Sequence, residues 1–361
     1  MSIALAHDSG PRRFGLEPTG FDRLSGWTQD HISAAVPVFL KSCARFLSRA
    51  EPVPLDVVAA SVDFGRVGDW RSLCAAAEAL PAGDDAAARR FFEAGFVPFA
   101  VTDYGSPEGL FTGYYEIELD GSRRRHGRFQ TPLYRKPPDL GPHSPTRAEI
   151  EDGALAGRGS ELFWVGDPID AFFLQIQGSG RIRLSGGGAV RVGYDGQNGH
   201  PYVPVGRLLI ERGLIPRDKL TMNAIGSWMK EYPDAGASLR RENPSYVFFR
   251  EVKGDGPIGA EGAVLSAERS LAVDHAFIGF GIPVWLEADE RFAAAQSVRR
   301  LMVAQDTGGA IKGPVRGDVF WGTGEAAGIR AGIMNASGRY YLLLPRAVAG
   351  RLAPGRLVRS D

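Results

Sequence analysis

Two aspartates near the C-terminal end stand where carboxylate chemistry has the best support from its neighbours. Asp306 closes the apolar run Leu301-Met-Val-Ala-Gln-Asp306, and Thr307, Gly308 and Gly309 follow it. Twelve residues later Asp318 opens a second run, Gly317-Asp-Val-Phe-Trp-Gly322. Glycines let the backbone turn tightly and approach a ligand. Two carboxyl groups on neighbouring strand ends can converge on one cleft and divide acid and base duties between them. By two-residue alternation Asp306 shares a face with Met302 and Ala304. On a core face its carboxylate needs backbone hydrogen bonds, which is a structural task. Asp318 shares a face with Phe320 and adjoins Trp321. Desolvation against aromatic rings raises a carboxyl pKa and keeps a proton available near neutral pH, while Lys312 or Arg316 nearby pulls the other way. A lone Asp is more often a cap or turn residue than a catalyst, and from the residues alone either reading of this pair stands.

Other chemistries find less support. Val303-Ala-Gln-Asp306-Thr307-Gly308 resembles the Asp-Thr-Gly signature of aspartic proteases, which need two such carboxylates sharing a proton. The other approximate copy, Asp8-Ser9-Gly10, lacks a strand before it, so a protease assembled by dimerisation is a minor alternative. There is no GxxxxGK[ST] loop, strand-linked GxGxxG or GxSxG elbow. The six histidines, at 7, 31, 126, 143, 200 and 275, show no metal-ligand spacing, so neither metal nor cofactor is expected. Cys43 and Cys74 sit at apolar positions of helix-like stretches and read as two buried thiols rather than a disulfide. The 42 basic residues balance the 42 acidic ones, so nothing pulls the chain toward nucleic acid. Arg123-Arg124-Arg125 reads as a solvated loop. No run of 18 apolar residues exists to span a membrane.

Residues 111 to 251 are dense in groups that suit sugars. Aromatic faces stack on pyranose rings, and amides or hydroxyls read the sugar hydroxyls. Phe111-Thr112-Gly-Tyr114-Tyr115-Glu116 offers both kinds. Gln175, Gln177 and Ser179 add polar groups at an element end, and Tyr194, Asn198 and Tyr202 lie in one glycine-rich loop. Singly, each reads better as ordinary core or turn. Three such loops together favour a long polar groove.

The elements that position these residues are mixed. Helical periodicity runs over 28–47 with Pro37 inside it, then from Asp69, then after Asp84 with a stop at Gly95. Gly113–Leu119 alternates as a strand, with Asp120-Gly-Ser122 as its closing turn. Ala171–Gln177 reads as an apolar strand, and 182–192 as a hairpin turning at Gly186–Gly188. Helices return at 205–212 and 216–232. Tyr246–Arg250 is a strand, and 254–262 a glycine-rich linker. Strands do not alternate regularly with helices, which argues against a doubly wound sheet. The expected fold is mixed, mainly β with added helices.

The residues now carry a family resemblance. Phe-Thr-Gly-Tyr-Tyr-Glu at 111–116, Pro-Leu-Tyr at 132–134, Arg-Ala-Glu-Ile at 147–150 and Phe-Phe-Leu-Gln-Ile-Gln-Gly-Ser-Gly at 172–180 come first. Gln-Asn-Gly-His-Pro-Tyr at 197–202, Asn-Pro-Ser-Tyr-Val-Phe-Phe at 243–249, Arg-Ser-Leu-Ala-Val-Asp at 269–274 and the two aspartate runs follow in order. The set resembles the membrane-bound lytic murein transglycosylase A family, from about Phe111 to about Pro345. The resemblance implies a double-psi β-barrel domain formed by 1–110 and 255–361, with an inserted β-domain over 111–254 and a glycan groove between them. It implies a three-aspartate tail of Asp274, Asp306 and Asp318, with Asp318 as the catalytic acid and base and Asp306 in support. Thr112 and the Gln177-Gly178-Ser179-Gly180 loop would line the substrate groove. Tyr114, Tyr115, Asn198 and Lys312 complete the expected substrate-binding set. The implied reaction cleaves the MurNAc–GlcNAc bond of peptidoglycan with formation of 1,6-anhydro ends and no activated water.

The expected partners are glycan strands and other cell-wall enzymes, and the expected state is a monomer in the cell envelope, periplasmic or associated with the outer membrane. No signal peptide or lipid-bearing cysteine is visible in the sequence, Cys43 lying in a helix-like stretch. A two-carboxylate glycoside hydrolase and a non-catalytic cell-wall binding module are the competing readings.

Overall fold

The computed structural model describes residues 14–56, 62–141, 144–254, 256–290, 297–352 and 357–358. The chain opens with strand β1 (Phe14–Pro18), helices α1 (Val36–Leu47), α2 (Val67–Glu78) and α3 (Asp85–Gly95), and strands β2 (Phe96–Asp103) and β3 (Gly109–Ser122). Pro37 falls in the first turn of α1, where its missing N–H costs nothing, so the helix starts there instead of kinking. Asp84 caps α3 by accepting from the Ala87 N–H at 2.8 Å. The three helices bury Phe39, Phe46, Trp70 and Phe92 against one another. The expectation of two free thiols is corrected here: Cys43 of α1 and Cys74 of α2 form a disulfide, with Cα atoms 5.6 Å apart. Helix packing brings them together across a separation of 31 residues, which the spacing alone does not reveal.

The middle of the chain forms β4 (Thr131–Tyr134), α4 (Arg147–Glu151), β5 (Glu161–Val165), α5 (Pro168–Gln177), β6 (Ser179–Leu184) and β7 (Ala189–Gln197). After these come α6 (Val205–Glu211), α7 (Met222–Glu231), α8 (Pro233–Arg241) and β8 (Val247–Val252). Three expectations change. The run 171–177 is helix α5, not a strand. Asp167 caps it at the Ile169 N–H, Pro168 enters its first turn, and Gly178 ends it in the left-handed conformation at φ 75°. Its Ala171 and Leu174 join a sheet core with Ile117 and Phe249, while Ile169 and Phe172 join a helical core with Leu209 and Met229. A helix apolar on both sides shows no polar stripe, so it reads like a buried strand. Second, Asp120-Gly-Ser122 continues β3: Gly121 pairs with Val165 and with Leu184. A Cβ on Gly121 would lie 2.5 Å from the Ile182 side chain, so this glycine serves close packing and not a turn. Third, the helix expected from 216 starts at Met222, capped by Thr221. The 182–192 hairpin forms from β6 and β7.

The tail supplies β9 (Ser270–Val273), β10 (Pro283–Glu290), β11 (Val298–Asp306), β12 (Arg316–Thr323), α9 (Glu325–Ile333), β13 (Asn335–Pro345), α10 (Arg346–Ala349) and β14 (Leu357–Val358). The chain divides into two compact units. The first holds the described residues of 1–112, 258–320 and 334–361, and the second those of 113–257 and 321–333. In the first, neighbouring strands run β14-β1-β2-β13-β10-β11-β9-β12, antiparallel except for the parallel pair β11–β9. The start of β13 also pairs with the start of β3, Asn335 opposite Thr112. In the second, β3 runs parallel to β6, which continues through β7 to β8, and β4 pairs with β5.

Residues 321–333 thus leave the tail, with which a division at 255 groups them, and pack in the second unit. Thr323 Oγ1 donates to Glu116 at 2.7 Å, and the Gly324 N–H donates to the Glu116 carbonyl at 3.0 Å. Glu116 is fully buried and also pairs with Arg191 through both carboxylate oxygens, at 2.5 and 3.1 Å. Burying a carboxylate costs free energy that hydrogen-bond and ion-pair partners such as these offset.

Candidate active site

Strand β9 sets the geometry of the two aspartates. Ala272 is the register partner of Asp306 on one side and of Asp318 on the other. Laterally paired residues point to the same sheet face, and two strand spacings put their Cα atoms about 10 Å apart. The β11–β9 register slips between Ala304 and Asp306. A bulge of this kind bends a strand locally, and here it lies just before the loop carrying Gly308 and Gly309.

Asp318 is partly accessible, yet protein surrounds its carboxyl closely enough to push its pKa up from 3.8 to about 6. Desolvation is the largest cause. The Arg316 guanidinium and a hydrogen bond from Thr112 oppose it, and the nearby Asp306 adds to it. Thr112 Oγ1 donates to Asp318 Oδ1 at 2.7 Å. Arg316 donates in turn to Thr112 Oγ1 at 2.8 Å and to the Leu110 carbonyl at 3.2 Å. A carboxyl in this setting can hold a proton near neutral pH, release it to a bound group and take it back.

The other two aspartates hold backbone. Asp306 Oδ1 accepts from the N–H groups of Ala260 and Thr307, both at 2.9 Å. Asp274 is buried; its Oδ2 accepts from the Gly313 N–H at 2.7 Å and its Oδ1 from Ala276 at 3.2 Å. Between them they tie both ends of the segment 306–313. Lys312 is exposed, and its ammonium lies 3.9 Å from Asp274. The opposing cation at Asp318 is therefore Arg316.

In the second unit, Tyr115 is partly buried and its N–H donates to Gln177 Oε1 at 3.1 Å. Gln177 ends α5, Gly178 caps it, and Ser179 starts β6 with partial exposure. Gly180 is buried where a Cβ would fall 2.2 Å from Leu174 and 3.0 Å from the Ile117 carbonyl. Two expected ligand groups are corrected. Tyr114 is buried, so its ring is part of the packing. Asn198 is buried too: its Nδ2 donates to the Pro145 and Pro244 carbonyls, both at 2.9 Å, and its Oδ1 accepts from Tyr246 N–H at 2.8 Å. An amide engaged at both ends clasps loops and has little left for sugar. Tyr194 and Tyr202 are exposed. The Arg316–Thr112 contact escapes sequence reasoning because 204 positions separate the two residues.

Known families fall on the same segments. The MltA specific insert domain matches residues 110–250, and the 3D domain matches residues 269–344. Over 261 residues the chain is 36% identical to the membrane-bound lytic murein transglycosylase A of Escherichia coli K12, covering 70% of each. It is similar to the crystal structure of a membrane-bound lytic murein transglycosylase from Agrobacterium tumefaciens, with a TM-score of 0.83 at 33% identity over 93% of this chain and 99% of that one. It is also similar to E. coli MltA with bound chitohexaose, with a TM-score of 0.72 at 29% identity over 94% and 96% of the two chains. With relatives of this identity and coverage, and with a sheet-rich fold and added helices in common, the chain belongs to the membrane-bound lytic murein transglycosylase A family.

Proposed function

We propose that this protein cleaves the bond between N-acetylmuramic acid and N-acetylglucosamine in peptidoglycan and leaves 1,6-anhydro-muramic ends, with Asp318 as its one acid and base. The observation that carries the assignment is the Asp318 carboxyl itself: partly accessible, its pKa raised to about 6 by desolvation, and gripped at Oδ1 by Thr112. Protonated Asp318 gives its proton to the glycosidic oxygen, and the bond to muramic C1 breaks with an oxocarbenium-like centre left behind. The same carboxylate then takes the proton of the muramic 6-hydroxyl as that oxygen bonds to C1. The proton count closes, no water is consumed, and Asp318 returns to its starting form. An internal nucleophile gains from proximity, so a second carboxylate to activate water is unnecessary.

Asp306 supports the site by shaping the loop after β11 and by its charge on Asp318. Lys312 binds glycan, as do Tyr115, Gln177 and Ser179 with the Gly178–Gly180 turn. The strand pattern of the first unit, one parallel pair among antiparallel neighbours, supports a double-psi β-barrel. Action in the cell envelope fits the substrate, and the Cys43–Cys74 disulfide supports a non-reducing compartment. The test is Asp318→Asn in a peptidoglycan-clearing assay. A loss of roughly 10²–10⁴-fold in rate with unchanged folding is expected. Clearance near the parent rate removes Asp318 from the reaction.

A further inference from the structure

We infer that Arg316 is a positioning residue: through the Thr112 hydroxyl it reserves Asp318 Oδ1 as an acceptor, so that the working proton is carried on Oδ2. The inference rests on the assignment of Asp318 as acid and base and says which of its oxygens works.

Donor counting fixes the role of each group in this chain of contacts. A guanidinium only donates, so Thr112 Oγ1 accepts in its 2.8 Å contact with Arg316. The hydroxyl has one proton of its own. Its partner at 2.7 Å is Asp318 Oδ1. The adjacent cation orients the hydroxyl dipole away from itself and polarises the O–H, which makes it the better donor toward the carboxyl. Oδ1 therefore receives a proton in a hydrogen bond and is the poorer place to carry one. The acid proton goes to Oδ2.

Arg316 is itself fixed. It also donates to the carbonyls of Leu110, at 3.2 Å, and of Gly317. Leu110 and Thr112 both lie on β3, and Arg316 and Asp318 both lie on β12 with Gly317 between them. One side chain thus ties the strand bearing the hydroxyl to the strand bearing the acid. The charged groups that act on Asp318 are Arg316 from its own strand and Asp306 from the end of β11, while β9 faces it with Ala272. Removing Arg316 leaves Asp306 unopposed and frees the Thr112 rotor.

The measurement is the pH profile of kcat/KM on solubilised glycan strands for the parent, Arg316→Met, Arg316→Lys and Thr112→Val. Asp318 must be protonated to act, so activity falls on the alkaline side as pH rises through its pKa. In Arg316→Met that limb should move up by on the order of one pH unit, with kcat reduced and KM little changed. Arg316→Lys, which restores a cation and a donor, should bring the limb back toward the parent position. Thr112→Val, a small change expected to fold even if Arg316→Met does not, should also move the limb up and lower kcat. A folded Arg316→Met or Thr112→Val with its limb at the parent position overturns the inference. Asp318→Asn, run alongside, separates the two claims. If it is inactive while the limbs stay put, only the positioning role fails. If it is active, the assignment of Asp318 fails first.

Discussion

Asp318 is built against its own comfort. Burial raises its pKa from 3.8 to about 6, and neither Arg316 nor the Thr112 hydroxyl fully offsets this. The folded state therefore prefers the neutral acid. Between about pH 4 and 6 it holds a proton that the unfolded chain has released, so stability falls as pH rises through that window and stays lower above it. Asp318→Asn, neutral at every pH, should be more stable than the parent at pH 7, by on the order of 2 kcal/mol. The advantage should vanish near pH 3.5, as read by denaturant melts at both values. Glu261 follows the same rule. Burial raises its pKa from 4.5 to about 7, although Ser42 donates to Oε2 at 2.8 Å. Parent stability should lose a further increment between about pH 4.5 and 7, and Glu261→Gln should remove it from the pH–stability curve. In the sequence, aromatic neighbours incline the choice toward Asp318, and the family resemblance rather than residue chemistry names it as the acid and base. Residue chemistry misreads Asn198, because a buried loop clasp and a sugar-binding amide are the same residue in a polar, glycine-rich stretch.

At the scale of elements, close approach of backbones does the positioning. A Cβ on Gly109 would lie 1.7 Å from the Val315 carbonyl oxygen, and no rotamer relieves a clash with backbone. Gly109→Ala should push the start of β3 away from the segment entering β12 and so separate Thr112 from Asp318. The expected result is loss of activity together with a drop of a few degrees in Tm, measured by clearance assay and thermal melt. The Cys43–Cys74 bond closes a loop between α1 and α2, and its reduction should lower stability by about 3 kcal/mol, seen as a lower melting temperature in dithiothreitol. Elements with one wet face were readable: α1, α3 and the β6–β7 hairpin follow from periodicity, caps and turn glycines. Helix α5 was not, because it lies between two apolar cores and has no polar stripe to betray its period. The disulfide and the Arg316–Thr112 contact depend on packing between distant segments, which local pattern does not encode.

For the whole molecule, two of the four places where the polypeptide passes between its compact units fall within β3 and β12, the strands that bear Thr112 and Asp318. The acid and its hydroxyl partner thus sit on elements anchored by pairing within the first unit, Thr112 to Asn335 and Asp318 to Ala272. A reaction that relies on one carboxyl needs that rigidity more than it needs a second acid. The question that separates a lytic enzyme from a two-carboxylate hydrolase is the fate of muramic C1. Purified peptidoglycan digested with this protein and analysed by mass spectrometry answers it directly. A lytic reaction run by Asp318 yields muramic ends lighter by one water, carrying the 1,6-anhydro ring, and none from Asp318→Asn. Reducing muramic ends at the hydrolysed mass, formed by the parent and lost in Asp318→Asn, would contradict it.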